Sequence, residues 1–202
     1  MSKINTARVT YGDADYTFLA NVWEKMSRVE HPRLGVSVGG VIGRDAVPLC
    51  MPKTEVAVRR ATPADAPTVS AITDAAYSKW IPLIGRKPEP MTVDYAEMIA
   101  AHPIFVLTAD GEPAAVLVLK HEEDQTLIWS VAVHPNYQKQ GLGLRLLRHA
   151  EAEARRKGFA KIRLYTNSLF EENIALYSWF GYEETRREPF RGSTLVHMTK
   201  RL

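Results

Sequence analysis

Residues 131–143, which read VAVHPNYQKQGLG, constrain the fold of this chain more than any other segment. A short apolar run rich in β-branched residues leads into a His-Pro-Asn turn, a basic loop with two glycines, and an amphipathic helix. A strand, a glycine loop and a helix in this order place several backbone N–H groups at one helix N-terminus, and such an arrangement binds phosphate. Gly141 and Gly143 allow an anion to approach the backbone closely because they carry no Cβ.

Glycine loops of several kinds bind phosphate, and the spacing here excludes two of them. The P-loop pattern requires Lys and then Ser or Thr after its last glycine, and neither Gly141 nor Gly143 is followed by these residues. A dinucleotide-binding loop requires a third glycine at the position that Leu146 occupies. A glycine turn that only joins a strand to a helix stays open at this point.

The composition is that of a soluble globular protein, with 46% hydrophobic and 24% charged residues in a chain of 202. The net charge of +3 is dispersed, without a basic stripe interleaved with aromatic residues, so no nucleic-acid partner is expected. A single cysteine excludes a disulfide framework and a cysteine-rich metal site, and it suits a reducing cytoplasm. No apolar stretch approaches the roughly 20 residues of a membrane-spanning helix, so no membrane association is expected.

The chain divides into two parts with different patterning. Residues 1–54 show no convincing hydrophobic periodicity, and we expect an N-terminal extension that is poorly or partly ordered. The first ten residues lack the apolar core of a signal peptide, and Met51 is an alternative start for the natural protein. Residues 55–202 are patterned regularly and are expected to form one folded domain.

Regular hydrophobic patterning in the second part predicts strands and helices in alternation. The predicted strands are residues 56–61, 104–108, 114–120, 127–133, 162–165, 182–188 and 194–200. The predicted helices are residues 63–79, 93–101, 142–157 and 169–180. A proline-rich loop is expected over residues 81–90, and Ser168 with Glu171 has the spacing of a capping box. Glu151 and Arg155 are expected to pair on the exposed side of their helix.

Two motifs at a fixed separation resemble those of the GCN5-related N-acetyltransferase (GNAT) superfamily. The first is Gln138-x-x-Gly141-x-Gly143 after the VAVHP strand end, which resembles the acyl-CoA-binding signature of the superfamily. The second is LYTN at residues 164–167, followed by ENIALYSWFGY at residues 172–182. The resemblance covers about residues 55–202. It implies an α/β fold with a mixed, mostly antiparallel sheet of six to seven strands, about four helices on both faces, and strands splayed at the acyl-CoA site.

The resemblance further implies acetyl-CoA as the co-substrate, without a metal ion. The backbone of the Val131 to Val133 strand end is expected to pair with the pantetheine arm. Backbone N–H groups from Gln138 through Leu144 are expected to surround the pyrophosphate. The acyl-CoA-binding residues expected on this basis are Val131, Ala132, Val133, Gln138, Lys139, Gln140, Gly141, Leu142, Gly143, Leu144 and Asn173.

Tyr177 matches the tyrosine that the superfamily places near the end of the later helix. A tyrosine with an ordinary pKa of about 10 is protonated at neutral pH and can donate a proton to the leaving sulfur. Many relatives carry a glutamate on the strand that holds Val131, but this chain has none there. The base is therefore left open between ordered water, Ser130, His134 and backbone carbonyls. The superfamily often places an asparagine seven residues before the tyrosine, where this chain has Phe170.

The resemblance implies an N-acetyltransferase that moves an acetyl group from acetyl-CoA to a primary amine of a small molecule or a peptide, by direct attack. An acyl-CoA-binding sensor or partner-binding module without transferase activity stays open as the alternative. Tyr77, Trp80 and residues 81–90 are expected to line the acceptor side. Members of the superfamily are often dimers, so a homodimer is an expectation here.

Overall fold

A computed structural model of the protein describes residues 54–202. The extension predicted for residues 1–54 therefore lies outside the described residues, except for residue 54. The strands are β1 (Val56–Arg60), β2 (Ile104–Ala109), β3 (Glu112–His121), β4 (Thr126–Val133), β5 (Lys161–Asn167), β6 (Glu183–Phe190) and β7 (Ser193–Arg201). They form one sheet of seven strands in the order β1-β2-β3-β4-β5-β7-β6. Only the β4–β5 pair is parallel. The predicted mixed and mostly antiparallel sheet is confirmed.

Helices cover the sheet on both faces, as expected. They are α1 (Ala66–Tyr77), α2 (Ile81–Ile84), α3 (Tyr95–Ala101), α4 (Leu142–Arg156) and α5 (Glu171–Trp179). Buried residues of α1 and α3 pack with apolar side chains of β2, β3 and β4 on what we call the α1 face. Buried residues of α4 pack on the opposite α4 face, where side chains of α5 join them.

The joint between β4 and β5 is short. Their parallel pairing holds only Thr126 with Ile162, Leu127 with Arg163 and Ile128 with Leu164. Beyond these pairs, β4 continues along β3 to Val133, and β5 continues along β7 to Asn167. The two strands therefore diverge, and residues 129–133 of β4 face a gap instead of a neighbouring strand. This is the splay that the resemblance implied.

A β-bulge in β4 lies where the strands diverge. Ser130 pairs with Val118 of β3 and Ile128 pairs with Leu119, so Trp129 is an additional residue in the β4 ladder. Bulges bend a strand and increase its local twist. The bulge therefore turns the end of β4 away from β5.

Two local predictions were wrong. Residues 81–90 are not one loop, because α2 occupies its start and a 3-10 turn, Glu89–Met91, its end. Pro82 in the first turn of α2 is compatible with a helix, and Gly85 ends it at a left-handed φ of 68°. The capping box of Ser168 and Glu171 is absent, since the N-cap of α5 is Phe170 and has no side-chain hydrogen bond. Asn167 holds this turn instead, because its Oδ1 accepts from the N–H of Leu169 at 3.0 Å.

Glu151 does not lie on the exposed side of α4. Its side chain is buried and pairs with Lys200 of β7 at 2.7 Å, while Arg155 lies 3.7 Å away. Lys200 Nζ also donates to the carbonyl of Phe180 at 2.8 Å, just after α5. One lysine thus connects α4, β7 and the end of α5.

Candidate active site

The backbone at the end of β4 presents polar groups to the gap. The N–H of His134 donates to the carbonyl of Ala114 on β3 at 2.9 Å. Hydrogen-bonded and non-hydrogen-bonded positions alternate in an antiparallel ladder, so Ala132 and Ser130 also bond to β3. The backbone groups of Val131 and Val133 consequently point away from β3, into the gap. The structure thus places these two predicted residues where an extended chain can pair with them.

Gln138 ties the glycine loop to the end of β4. Its side-chain Nε2 donates to the carbonyl of Val133 at 2.9 Å. His134 begins the preceding 3-10 turn, and its Nδ1 accepts from the N–H of Asn136 at 3.3 Å. The side chain of His134 therefore serves the turn. The backbone N–H of Gln138 closes the same turn by donating to the carbonyl of Pro135 at 3.2 Å, so it is not free for the predicted contact with the pyrophosphate and Gln138 acts through its side chain.

The N-terminus of α4 carries no compensating negative charge. Its N-cap is Gly141, at a left-handed φ of 76°, without a side-chain cap and with no acidic residue in the first turn. The first N–H groups of a helix have no partner within the helix, and the helix dipole adds partial positive charge there. Lys139 is exposed just before this end, and Arg145 follows in the second turn. The arrangement suits a bound anion.

Gly143 is not required by packing within the protein. A Cβ added to it would meet only Val133 Cγ2, at 3.8 Å, which is an ordinary contact. Its backbone lies in a normal helix, unlike that of Gly141. The packing of residues 54–202 therefore does not require a glycine here. The acyl-CoA contact expected of Gly143 stays a prediction.

Tyr177 lies on α5 and reaches the gap from the α4 face. Its ring is half-buried and meets the ring of Tyr182 edge-on, with 6.2 Å between centroids. Burial, and then the neighbouring Tyr77 hydroxyl, raise the pKa of Tyr177 well above its ordinary value. The phenol therefore keeps its proton at every pH at which the protein is expected to work.

Tyr77, at the end of α1, enters the gap from the opposite face. Its hydroxyl lies 3.1 Å from Ser130 Oγ and also takes a hydrogen bond from the backbone of Val131. It was expected to line the acceptor side, but its pairing with Ser130 was not foreseen. The two residues are far apart in sequence, and no local pattern could have paired them.

Trp80, which was expected to line the acceptor side, packs against Phe170. Their rings stack with centroids 4.1 Å apart, and Lys79 Nζ lies 4.4 Å from the Trp80 ring centre. A cavity of about 390 Å³ opens beside them. The cavity is lined by Lys79, Trp80, Leu169, Glu171 and Glu172. Trp80, which the sequence led us to expect on the acceptor side, thus lies at a cavity. The positions of Phe170, Glu171 and Glu172 beside it were not predicted from the sequence.

Asn173 lies in the first turn of α5, and its backbone N–H donates to the carbonyl of Phe170 at 2.9 Å. Its side chain is half-buried. Phe170, at the position where the superfamily often has asparagine, is occupied by the stack with Trp80. The acyl-CoA contact expected of Asn173 stays a prediction.

The hairpin between β6 and β7 contacts the segment that follows α2. The guanidinium carbon of Arg86 lies 5.3 Å from the ring centre of Phe190, and that of Arg191 lies 5.2 Å from the same ring. Cations at this distance over an aromatic face are attracted to it. Arg86 thus links the segment after α2 to the β6–β7 hairpin through Phe190.

The described residues contain neither a metal-ligand cluster nor a membrane-spanning helix. Between residues 54 and 202, His, Cys, Asp and Glu side chains form no group of three or more that could hold a metal ion. None of the helices in this range is long and apolar enough to cross a membrane.

Comparisons with known proteins agree on one family. The family model described as Acetyltransferase (GNAT) family matches residues 70–182. The [ribosomal protein bS18]-alanine N-acetyltransferase of Escherichia coli K12 is 36% identical over 80 residues, which are 40% of this chain and 54% of that protein. The chain thus matches about half the length of this curated relative.

Solved structures share the fold at low sequence identity. The PaiA N-acetyltransferase of Thermoplasma acidophilum, in complex with coenzyme A, has a TM-score of 0.62 at 18% identity and covers 73% of this chain and 99% of its own. A GNAT family acetyltransferase of Elizabethkingia anophelis, with acetyl-CoA bound, has a TM-score of 0.57 at 18% identity, with coverages of 73% and 98%. At these identities the likeness shows the shared fold.

Proposed function

Because the chain belongs to the acetyltransferase (GNAT) family, we propose that it is an N-acetyltransferase. It transfers an acetyl group from acetyl-CoA to a primary amine of a small molecule or a peptide. The observation that carries the proposal is the gap between β4 and β5, which opens beside the uncapped N-terminus of α4. An extended, amide-bearing arm that ends in phosphates fits this combination of a strand edge and an anion site.

The two polar features match different parts of the donor. The carbonyl of Val131 and the N–H of Val133 offer one acceptor and one donor to an extended ligand, as a neighbouring strand would. Backbone N–H groups of residues 139–144 and the dipole of α4 stabilise the pyrophosphate. Relatives of the same fold carry coenzyme A or acetyl-CoA, which supports this assignment.

Tyr177 acts as the general acid in this proposal. Since burial raises the pKa of its phenol, Tyr177 stays protonated and can give its proton to the sulfur as the thiol leaves. The N–H of Val133, which points into the gap, stabilises the negative charge that develops on the carbonyl oxygen during attack. We propose that Asn173 contacts the pantetheine arm.

The acceptor is approached through the cavity beside Trp80. The charged groups that line it are the carboxylates of Glu171 and Glu172 and the ammonium of Lys79, and this negative balance favours a cationic amine over an anionic group. A relative is named for acetylating an alanine of a ribosomal protein. A polypeptide N-terminus is therefore the first acceptor to test.

Two measurements test the function. Acetyl-CoA should raise the melting temperature of the protein, because a ligand that binds only the folded state stabilises it. A thiol-release assay over a panel of peptides and amines should then show acceptor-dependent turnover. Lack of a thermal shift at saturating acetyl-CoA would contradict the proposal. A shift without acceptor-dependent release over the whole panel would favour the acyl-CoA-binding module.

We further propose that residues 55–202 hold the whole activity, that the protein is cytoplasmic and that it forms a homodimer. The single cysteine supports a reducing compartment. A chain shortened to residues 51–202 should keep the acetyl-CoA thermal shift and the turnover of the full chain. Sedimentation velocity should give the mass of two chains, and a monomer at micromolar concentration would contradict the dimer.

A further inference from the structure

The β-bulge of β4 places two consecutive side chains on the α1 face. Ile128 and Val131 belong to the core on the α4 face, whereas Trp129 and Ala132 belong to that on the α1 face. Strict alternation after Trp129 would send Ser130 to the α4 face. The additional residue in the ladder returns Ser130 to the α1 face, where its Oγ meets the Tyr77 hydroxyl at 3.1 Å.

The Tyr77 and Ser130 hydroxyls form a neutral pair at the edge of the gap. Ser130 is buried, and burial raises the pKa of Tyr77 against the opposing effect of hydrogen bonds from Ser130 and the backbone of Val131. The Tyr77 hydroxyl thus stays protonated, and it can both accept and donate a hydrogen bond. It faces Tyr177 across the gap, since each of these phenols lies in the core of a different face and Tyr77 raises the pKa of Tyr177.

Tyr165 on β5 and Tyr95 on α3 surround this pair along with Tyr177. Burial is the main cause of the raised pKa of each, with a smaller contribution from Tyr77. Nearby carboxylates act on the surrounding tyrosines: Asp74 raises the pKa of Tyr95, and Glu89 raises the pKa of Tyr165.

Carboxylates and cations do not act directly on the pair. The pKa of Tyr77 responds to its own burial, to Ser130 and to the backbone of Val131, with no charged side chain among these causes within residues 54–202. β4 carries no acidic residue between Thr126 and Val133, and the polar side chains that meet at this wall of the gap are the hydroxyls of Tyr77 and Ser130.

We propose that Tyr77 and Ser130 position the acceptor amine, and that the enzyme uses no carboxylate base to deprotonate it. This inference rests on the proposed function. The ammonium form of the acceptor collects in the cavity beside Glu171 and Glu172. It gives up one proton to solvent and reaches the hydroxyl pair as the neutral amine, whose N–H donates to the pair. Its lone pair is thereby turned toward the acetyl carbonyl carbon at the end of β4.

The proton and electron balance needs no further reactant. The amine nitrogen forms a bond to the carbonyl carbon, and the carbon–sulfur bond breaks with its electron pair left on sulfur. Tyr177 supplies the proton for the sulfur, and the nitrogen loses its proton through the hydroxyls of Ser130 and Tyr77 to water. Solvent returns a proton to Tyr177. The products are the amide and the free thiol.

Such a mechanism makes the pH profile a property of the acceptor. Without a titrating base, the rising limb of kcat/KM reports the pKa of the amine itself, about 8 for a peptide α-amine and about 10 for a lysine-like amine. Two acceptors that both support turnover, with amine pKa values at least about one unit apart, should therefore give rising limbs separated by the same amount. Limbs at the same pH for both acceptors would reveal an enzyme base and overturn the inference.

Variants of the full chain test the pair itself. Tyr77→Phe should lower kcat/KM for the acceptor about tenfold or more, and Ser130→Ala should lower it less. The double variant should lose little beyond Tyr77→Phe, because the two hydroxyls act as a unit. The Kd of acetyl-CoA should stay within about twofold in all three. A Tyr77→Phe variant with unchanged kcat/KM would overturn the inference.

Tyr182→Phe is the matched control. It also removes a buried tyrosine hydroxyl, one without a hydrogen-bond partner in the part of the chain that the structure describes, and it should keep wild-type turnover. If Tyr77→Phe does not fold, the wild-type pH profiles with two acceptors and Ser130→Ala still decide the question. Absence of acceptor-dependent thiol release in the wild type would contradict the proposed function. Release with an acceptor-independent pH limb would contradict this inference alone.

Discussion

Two helices begin beside the gap between β4 and β5, and their first turns differ in charge. α4 begins after Gly141 without an acidic residue, whereas α5 begins with Glu171 and Glu172. Neither N-cap has a side-chain hydrogen bond. The backbone dipole is the same in both, so the side chains decide what each end attracts. The N-terminus of α4 therefore suits an anion, whereas the carboxylates in the first turn of α5 attract cations.

The largest expected effect comes from breaking the link between the two helices. Lys200→Met removes the ammonium that binds Glu151 of α4 and the carbonyl of Phe180 after α5. The buried carboxylate then keeps only the more distant Arg155, at 3.7 Å, and we expect the free energy of unfolding to fall by about 2–3 kcal/mol. Urea denaturation measures it. Lys200→Met with Glu151→Leu should recover much of the loss, and an undiminished stability of the single variant would contradict the structural role.

On α5, Tyr177→Phe should lower kcat by about 100-fold, since it removes the proposed proton donor to the leaving sulfur. The Kd of acetyl-CoA should change less than about twofold, because the proposed anion site lies on α4. Steady-state kinetics and calorimetric titration separate the two quantities. A variant with full turnover would remove Tyr177 from the mechanism.

On α4, Gly143→Ala should weaken acetyl-CoA binding about tenfold and yet stabilise the free protein by about 0.5–1 kcal/mol. Alanine is the better helix former, and its Cβ meets only an ordinary contact within the protein. The same Cβ would obstruct a pyrophosphate held against the backbone. Calorimetric titration gives the affinity and urea denaturation the stability.

Gly158→Ala is the control for that variant. Gly158 has a φ of 82° after α4, away from the gap, so its replacement should lower stability and leave the affinity unchanged. If Gly143→Ala binds acetyl-CoA as the wild type does, the glycine does not mark the anion site.

The smallest expected effects come from the charges themselves. Glu171→Gln with Glu172→Gln should raise KM for a cationic acceptor about two- to fivefold, as expected for exposed charges at a helix terminus. Lys139→Gln should instead raise the Kd of acetyl-CoA by a similar factor and spare the acceptor. Both effects should shrink in high salt. If both variants affected the same ligand, it would be wrong to assign acetyl-CoA to the N-terminus of α4 and the cationic acceptor to the N-terminus of α5.

Local patterns predicted the elements that local forces determine. The extent of α4 and the glycine loop that ends at Gly141 follow from spacing along the chain, and the structure has them. The capping box of Ser168 failed because neighbouring Asn167 offers a competing bond to the same turn. The short α2 was missed because proline punctuates loops and first helical turns alike.

Contacts between distant elements could not be predicted from local patterns. The bulge at Trp129 depends on how β4 pairs with β3, and nothing in the run of β4 residues signals it. Without the bulge, alternation would keep Ser130 away from Tyr77. The stack of Trp80 with Phe170 likewise requires the fold before either residue has its partner.

The three residue pairs that join β4 to β5 leave the sheet as two antiparallel ribbons sharing a short seam. In amide hydrogen exchange, these ribbons should open as separate cooperative units, with the backbone around the seam taking up deuterium early. An extended ligand lying in the gap would supply the missing edge to both. Deuterium uptake around the seam should then slow on both ribbons together. Binding of a ligand in the gap would thus be observed as two ribbons that exchange at one common rate instead of two different rates.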